Sequence, residues 1–279
     1  MYAKHDVFET PNDATEIWHY TTLGRLAGML ALKSLFFVRA NQFPDPWEAS
    51  VPAAHFEPAN LRAYWRRLFR SPEGTGRDDA DLTDHAFMLA RMDDKARANF
   101  VLNCWCRSDG ESDLHWHTYG RDAEGVAIRS TVGRLKRALK RYKEEVYIGE
   151  VKYIDFETEL IPDKRKIQRT VYKRLAFRND QEVRAVIDAS KVKGRFTTRG
   201  GFVEVEMNEL AHEIVLSPMA NRSLTDGVKA MLKVLGVGCH ARRSKLLDPP
   251  KYRGSRFIPG KLKTQTNLPF GKTARTGRG

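Results

Sequence analysis

The sequence predicts a mixed α/β domain of the α+β class, followed by a basic tail. Three observations point there. Short runs rich in aromatic and β-branched residues alternate with segments whose apolar residues recur at helical spacing. Hydrophobic residues make up 41% and charged residues 30% of the 279, a globular balance that excludes a wholly disordered or collagen-like chain. The net charge of +13 is concentrated at one end. Residues 241–279 hold 11 Lys or Arg against one acid, Asp248, which leaves 37 basic and 34 acidic side chains for residues 1–240.

Residues 16–21 read as a first strand. Thr22 is a possible cap for a helix that carries Leu23, Leu26, Ala27, Leu30 and Ala31 on one face. Leu35, Phe36, Phe37 and Val38 suit a buried strand, and residues 40–50, with Pro44 and Pro46, form a loop. Helical spacing at 59–70 and 80–98, interrupted by a polar stretch with Pro72, Gly74 and Gly76, predicts an inserted helical arm over about 57–98. From Asn99 the pattern turns extended, with strands expected at 100–106, 126–129, 146–153, 182–187, 202–207 and 214–216. Helices are expected between them at 131–142 and 162–177, and a third through Leu224, Val228, Met231, Leu232 and Leu235. The sum is about eight strands in one domain over 1–248.

Residues 249–279 are punctuated by Gly254, Pro259, Gly260, Pro269 and Gly271 and hold few aliphatic side chains, which predicts a mostly disordered basic tail. No apolar run approaches the ~18 residues of a membrane span, and the first residues lack the apolar block of a secretory signal. With only Cys104, Cys106 and Cys239, a disulfide framework is not expected, which agrees with a cytoplasmic location.

Four segments carry a family resemblance. They are Trp18-His19-Tyr20-Thr21, then Phe43-Pro44-Asp45-Pro46-Trp47-Glu48, then His115-Trp116-His117-Thr118-Tyr119 with Gly125-Val126, and finally Lys173, Phe177 and Gln181-Glu182-Val183-Arg184. In order and spacing they resemble the bacterial domain of unknown function 2971 family, over roughly residues 16–247. Pro44 stands where that family usually has Asn, and the family has no settled activity.

More distantly, a strand with His-x-Thr, a helix, a second strand, a long insertion and a late strand starting in Glu is similar to the ADP-ribosyltransferase plan of a split sheet. That resemblance implies NAD as a substrate held between two small sheets. His19 and Thr21 would orient the nicotinamide half and Glu182 would be the catalytic carboxylate on the ribose. Such a carboxylate would stabilise the positive charge that builds on the sugar as the nicotinamide bond breaks. Arg39, at the end of the second strand, would take the pyrophosphate, and Trp116 and Tyr119 would supply a stacking surface.

Structural roles stand beside these. Glu182 and Arg184, two apart on a strand, project to one side and equally form an ion pair. Asp45 and Glu48 suit a turn and a helix cap, and Trp116 and Tyr119 suit a core. Cys104, Cys106, His115 and His117 lie within fourteen residues, but a Cys-x-Cys on a strand lacks the usual zinc spacing, so no metal is expected. Phosphate-loop, nucleophile-elbow and dinucleotide-binding motifs are absent from the sequence. Arg134, Arg137, Lys140 and Arg141 on the 131–142 helix, with Arg242, Arg243, Lys251, Arg253 and Arg256 in the tail, are candidates for nucleic-acid phosphates. The function these readings imply is an NAD-dependent ADP-ribosyltransferase-like protein acting on nucleic acid or protein, with bacterial defence and housekeeping both open. The alternative is a non-catalytic nucleic-acid-binding domain of the same fold.

Overall fold

Thr22 ends the first strand and begins the first helix. It closes β1 (Glu16–Thr22), and its hydroxyl accepts the Arg25 N–H at 3.5 Å at the head of α1 (Leu23–Leu32). Lys33, at φ 47°, ends that helix in the left-handed region and turns the chain into β2 (Ser34–Arg39). The computed structural model describes residues 1–69, 95–119, 123–162, 165–192 and 194–250. The chain divides into two units, Met1–Leu247 and Asp248–Gly279. Only residues 248–250 of the second are described.

The first unit is mixed α/β. Its main sheet runs in the order β11 (His240–Arg243), β10 (Glu213–Leu216), β4 (Gly125–Thr131), β1, β3 (Phe100–Arg107), β2 and β9 (Gly200–Glu204). β8 (Glu182–Asp188) lies along β3, and β5 (Tyr147–Glu150) along β8. Every pair in it is antiparallel except β10 with β11. A second, parallel pair joins β6 (Lys152–Ile154) to β7 (Tyr172–Arg174). Further helices among the described residues include α2 (Pro58–Phe69), α3 (Asp113–Tyr119), α4 (Val132–Ala138), α5 (Met207–Leu210) and α6 (Arg222–Val234).

β3 is where the sheet splits. One edge pairs with β8 from Phe100 opposite Asp188 to Cys106 opposite Glu182. The other edge is shared: β2 pairs at Val101 and Leu102, and β1 only at Cys106 and Arg107. Between them the edge at Asn103–Trp105 has no strand partner among the described residues, and side chains from both flanks fill the gap. His19 Nδ1 donates to the Cys104 carbonyl at 2.9 Å, and Asn103 Nδ2 donates to the Phe36 carbonyl at 3.2 Å. Buried backbone groups must be paired, so His19 completes a ladder that its strand has abandoned.

Alternation along the strands sets the two faces. Ile17, Trp105, Val183 and Ala185 pack with Leu26, Leu30, Leu135, Val228 and Leu232 of the helices in the main core. The opposite face carries Trp18, Tyr20, Cys106 and Trp116 in one cluster and Leu102, Val186, Tyr147 and Val171 in another.

The helix expected at 162–177 is not formed. Its described residues make 3-10 turns at Lys166–Val171 and Leu175–Asp180 around β7. β6 offers Tyr172–Arg174 a parallel partner, and the aromatic Tyr172 at its head suits extended chain. The strand expected at 146–153 divides into β5 and β6, and the helix expected at 131–142 is shortened to α4. The strand expected at 202–207 starts earlier, at Gly200, whose φ of 135° and contact with the Phe37 carbonyl, 2.0 Å from any added Cβ, admit only glycine. The His115-Trp116-His117 segment is helical, which was not expected. Of the inserted arm, α2 is formed, while residues 70–94 lie outside the described residues. So do residues 251–279 of the tail.

Candidate active site

Three of the four quoted segments converge on one face of the sheet. β8 begins with Glu182 and Arg184 pointing to that face, the loop after β2 brings Asp45 and Glu48, and β7 brings Lys173. Arg184 and Glu48 are 0% and 1% exposed. Arg184 donates through Nη1 to Glu48 Oε1 at 2.6 Å and through Nη2 to Oε2 at 3.0 Å, and through Nη1 also to the Thr170 carbonyl at 2.7 Å. Its Nε reaches Glu182 Oε2 at 2.7 Å, while Lys173 Nζ donates to Glu182 Oε1 at 2.5 Å and to Asp180 at 2.8 Å. Arg174 pairs with Asp45 at 2.7 Å, and Asp45 also accepts the Trp47 N–H. Removing such charges from water is costly, and only mutual pairing with full hydrogen bonding offsets it.

The electrostatics follow. Burial alone would raise the Glu182 carboxyl, but Arg184 and Lys173 outweigh it and pull it down to about 2. Lys173 is held protonated by Glu182 and Asp180 against the opposing effects of burial and Arg184. Beside the cluster, burial pushes the Cys106 thiol up to about 12, with Asp180 and Glu182 adding to it. Cys104 is raised by burial in the same way. Neither thiol is poised as a nucleophile.

A polar and aromatic rim adjoins Glu182. His115 on α3 meets the Asp180 backbone and lies 2.8 Å from Ser112 Oγ. Burial lowers its basicity, and Asp180 and Glu182 oppose that. Tyr119 stacks obliquely on His115 at 5.8 Å and is 46% exposed. Its hydroxyl is raised to about 12 by burial and by Asp180 and Glu182. Phe177 lies 4.4 Å from Lys173 Nζ. Asp180 was not singled out from the sequence. The pattern of Lys173, Asp180 and Glu182 around a turn carried that signal, but Asp180 mattered only if the segment was a turn rather than a helix.

The remaining residues implied by the distant resemblance do not gather there. Trp18 is opposite Cys106 and Cys106 opposite Glu182, so Glu182 shares their face, while His19, next in β1, faces the other way and packs 5.2 Å from Trp105. His19 and Glu182 therefore do not line one side of the sheet. Burial depresses the His19 imidazole, and its Nδ1–H is spent on Cys104. Thr21 is buried on the His19 face. Arg39 is committed to backbone, its guanidinium donating to the carbonyls of Ala98, Phe196 and Thr197, so the pyrophosphate role expected of it is not supported by its geometry. Trp116 is a core residue, edge-on to Tyr20 at 5.0 Å and bonded to Glu111. Among the described residues, no group of three or more His, Cys, Asp or Glu could hold a metal ion.

The basic candidates are also redistributed. Arg137 pairs with Glu209 at 3.0 Å, Arg141 with Glu206 at 2.8 Å, and Arg134 bonds carbonyls, while Lys140 is exposed. Arg242 and Arg243 belong to β11 rather than to the tail. Arg242 pairs with Glu111 and Glu213, and Arg243 donates to the Pro218 carbonyl. Lys251, Arg253 and Arg256 lie outside the described residues.

No protein-family model and no curated protein matches the chain, so the resemblance to the domain of unknown function 2971 family rests on the quoted segments. Among solved structures, the chain is similar to Thermus sp. 2.9 DarT in complex with carba-NAD+, at 12% identity and a TM-score of 0.35, over 84% of this chain and 98% of that one. It is similar at 12% identity and a TM-score of 0.34 to the same protein with ADP-ribosylated ssDNA, over 85% and 96% of the two chains. No helix among the described residues is long and apolar enough to cross a membrane.

Proposed function

We propose that this chain is an ADP-ribosyltransferase-like protein that uses NAD as substrate and modifies nucleic acid or protein, with its reacting centre at Glu182. The observation that carries this reading is the setting of Glu182. A carboxylate kept ionised by Arg184 and Lys173 stands at the start of a strand, next to Asp180, His115 and the half-exposed Tyr119. Cleavage of the nicotinamide–ribose bond leaves its electron pair on nicotinamide and positive charge on the sugar. A fixed carboxylate stabilises that charge, and the acceptor group of the target then closes the new bond. Each Glu182 oxygen receives one protein donor and retains capacity for a ribose hydroxyl. His19, Thr21, Arg39 and Trp116 have no part in this version of the site, and Tyr119 supplies the stacking surface.

The second reading is a non-catalytic nucleic-acid-binding domain of the same fold. It is favoured by the pairing of both Glu182 oxygens and by the burial of that side chain to 9% exposure, which a purely structural ion cluster would produce. Incubation with labelled NAD, alone and with nucleic acid or cell lysate, separates the two. Label transfer or nicotinamide release that is lost in Glu182→Gln supports the enzyme. No transfer, no release and no NAD binding by calorimetry leaves the binding domain.

A further inference from the structure

The small sheet reaches Glu182 at two points. Tyr153 on β6 and Lys173 on β7 stand opposite each other in the parallel pair, so both side chains leave it on one side. Lys173 Nζ donates to the Glu182 carboxylate, whereas Tyr153 takes the backbone. β5 runs antiparallel to β8 as far as Glu150 opposite Val183. One residue further on, Val151 and Glu182 would exchange two bonds in a regular ladder. One of them forms, with the Val151 N–H donating to the Glu182 carbonyl at 2.9 Å. The Glu182 N–H donates instead to the hydroxyl of the half-buried Tyr153 at 2.8 Å, which stands where a strand carbonyl would.

The peptide group between Gln181 and Glu182 is thereby held at both ends. Its carbonyl accepts the Arg107 N–H of β3 at 2.8 Å, and its N–H is the one that Tyr153 receives. Gln181 is at φ 43°, in the left-handed region that non-glycine residues rarely occupy. The orientation of this peptide is therefore imposed by its contacts rather than by local preference, and it sets the direction in which the Glu182 side chain leaves the strand. We propose that Tyr153 is a positioning residue for the reaction: its hydroxyl fixes the first peptide of β8 and, through it, the Glu182 carboxylate. This role rests on the reading of Glu182 as the reacting carboxylate. A carboxylate that stabilises charge on the sugar acts in the transition state, so displacing it lowers kcat more than it raises KM.

The test compares the full chain with Tyr153→Phe, which deletes one oxygen and keeps the ring. Nicotinamide release from NAD gives kcat and KM, and amide hydrogen exchange by NMR follows the Glu182 N–H. In the variant kcat should fall at least ~10-fold while KM for NAD stays within about twofold. Exchange at Glu182 should quicken, whereas Ala185 and Val186, paired on both sides in the middle of β8, should exchange as in the parent. Unchanged kcat, or unchanged exchange at Glu182, overturns the proposal. Faster exchange along the whole of β8 also overturns it, because the hydroxyl would then serve only the fold. The two readings fail differently. A parent that releases no nicotinamide removes Glu182 from the chemistry and the role of Tyr153 with it. An active parent that is silenced by Glu182→Gln but not by Tyr153→Phe removes Tyr153 alone.

Discussion

Arg184 and Glu48, 136 positions apart in the chain, meet as a two-bond pair at 2.6 and 3.0 Å with neither side chain reaching water. The pair ties the loop after β2 to β8. Because Arg184 also holds Glu182, the loop and the candidate carboxylate share one support.

Breaking that support should be costly. Arg184→Ala leaves the buried Glu48 carboxylate without its cation and Glu182 with Lys173 alone, and a loss of about 3–5 kcal/mol of unfolding free energy is expected by chemical denaturation. Arg184→Lys should recover little of it, because one ammonium cannot replace a two-pronged guanidinium. A loss under ~1 kcal/mol in Arg184→Ala would contradict the cluster as described.

Glu182 makes stability depend on acid. Its carboxyl is lowered from 4.5 to about 2 in the folded protein, so its stabilising contribution is fully present above pH 4.5 and is lost as pH falls toward 2. Denaturation midpoints measured down this range should fall more steeply in the parent than in Glu182→Gln. Parallel curves would show that the carboxylate is not held down.

His19 should act on stability through the Cys104 carbonyl. His19→Ala leaves that buried acceptor unpaired, for an expected loss of about 1–3 kcal/mol, whereas His19→Asn or His19→Gln can donate again and should recover part of it. Loss of NAD-dependent transfer in a His19→Gln protein of parental stability would return His19 to the reacting centre.

For the tail, deletion of residues 251–279 should leave the melting temperature unchanged and weaken oligonucleotide binding. If the tail neutralises about five phosphates, the logarithm of affinity should fall with that of salt at a slope of about −3.5 to −4.5. A drop of several degrees on deletion would show that the segment is docked. The exposed ion pairs of Arg137 on α4 and of Arg141 just after it contribute only about 0–1 kcal/mol each, so phosphates can compete for both, and some salt dependence should survive the deletion.

The sequence by itself determined the α+β class, most strands of the main sheet, the helices at 23–32 and 222–234, and the segments that supply the buried ion cluster, because these follow from residue spacing within one element. Gln181-Glu182-Val183-Arg184 and Phe43-Pro44-Asp45-Pro46-Trp47-Glu48 could be read as chemistry-bearing segments without any partner in view. Only the tertiary structure decided which of them meet. Whether His19 and Glu182 face the same way depends on the register of β1 on β3 and of β3 on β8, a property of pairings between residues about 80 positions apart to which periodicity in one strand is blind. The fate of Arg39 was hidden for the same reason, since its acceptors are carbonyls of Phe196 and Thr197, and no side-chain pattern marks a backbone acceptor. The segment at 162–177 went the other way: its apolar spacing permits a helix, and the presence of β6 as a parallel partner for Tyr172–Arg174 decided for a strand flanked by turns that carries Lys173 and Asp180 to Glu182.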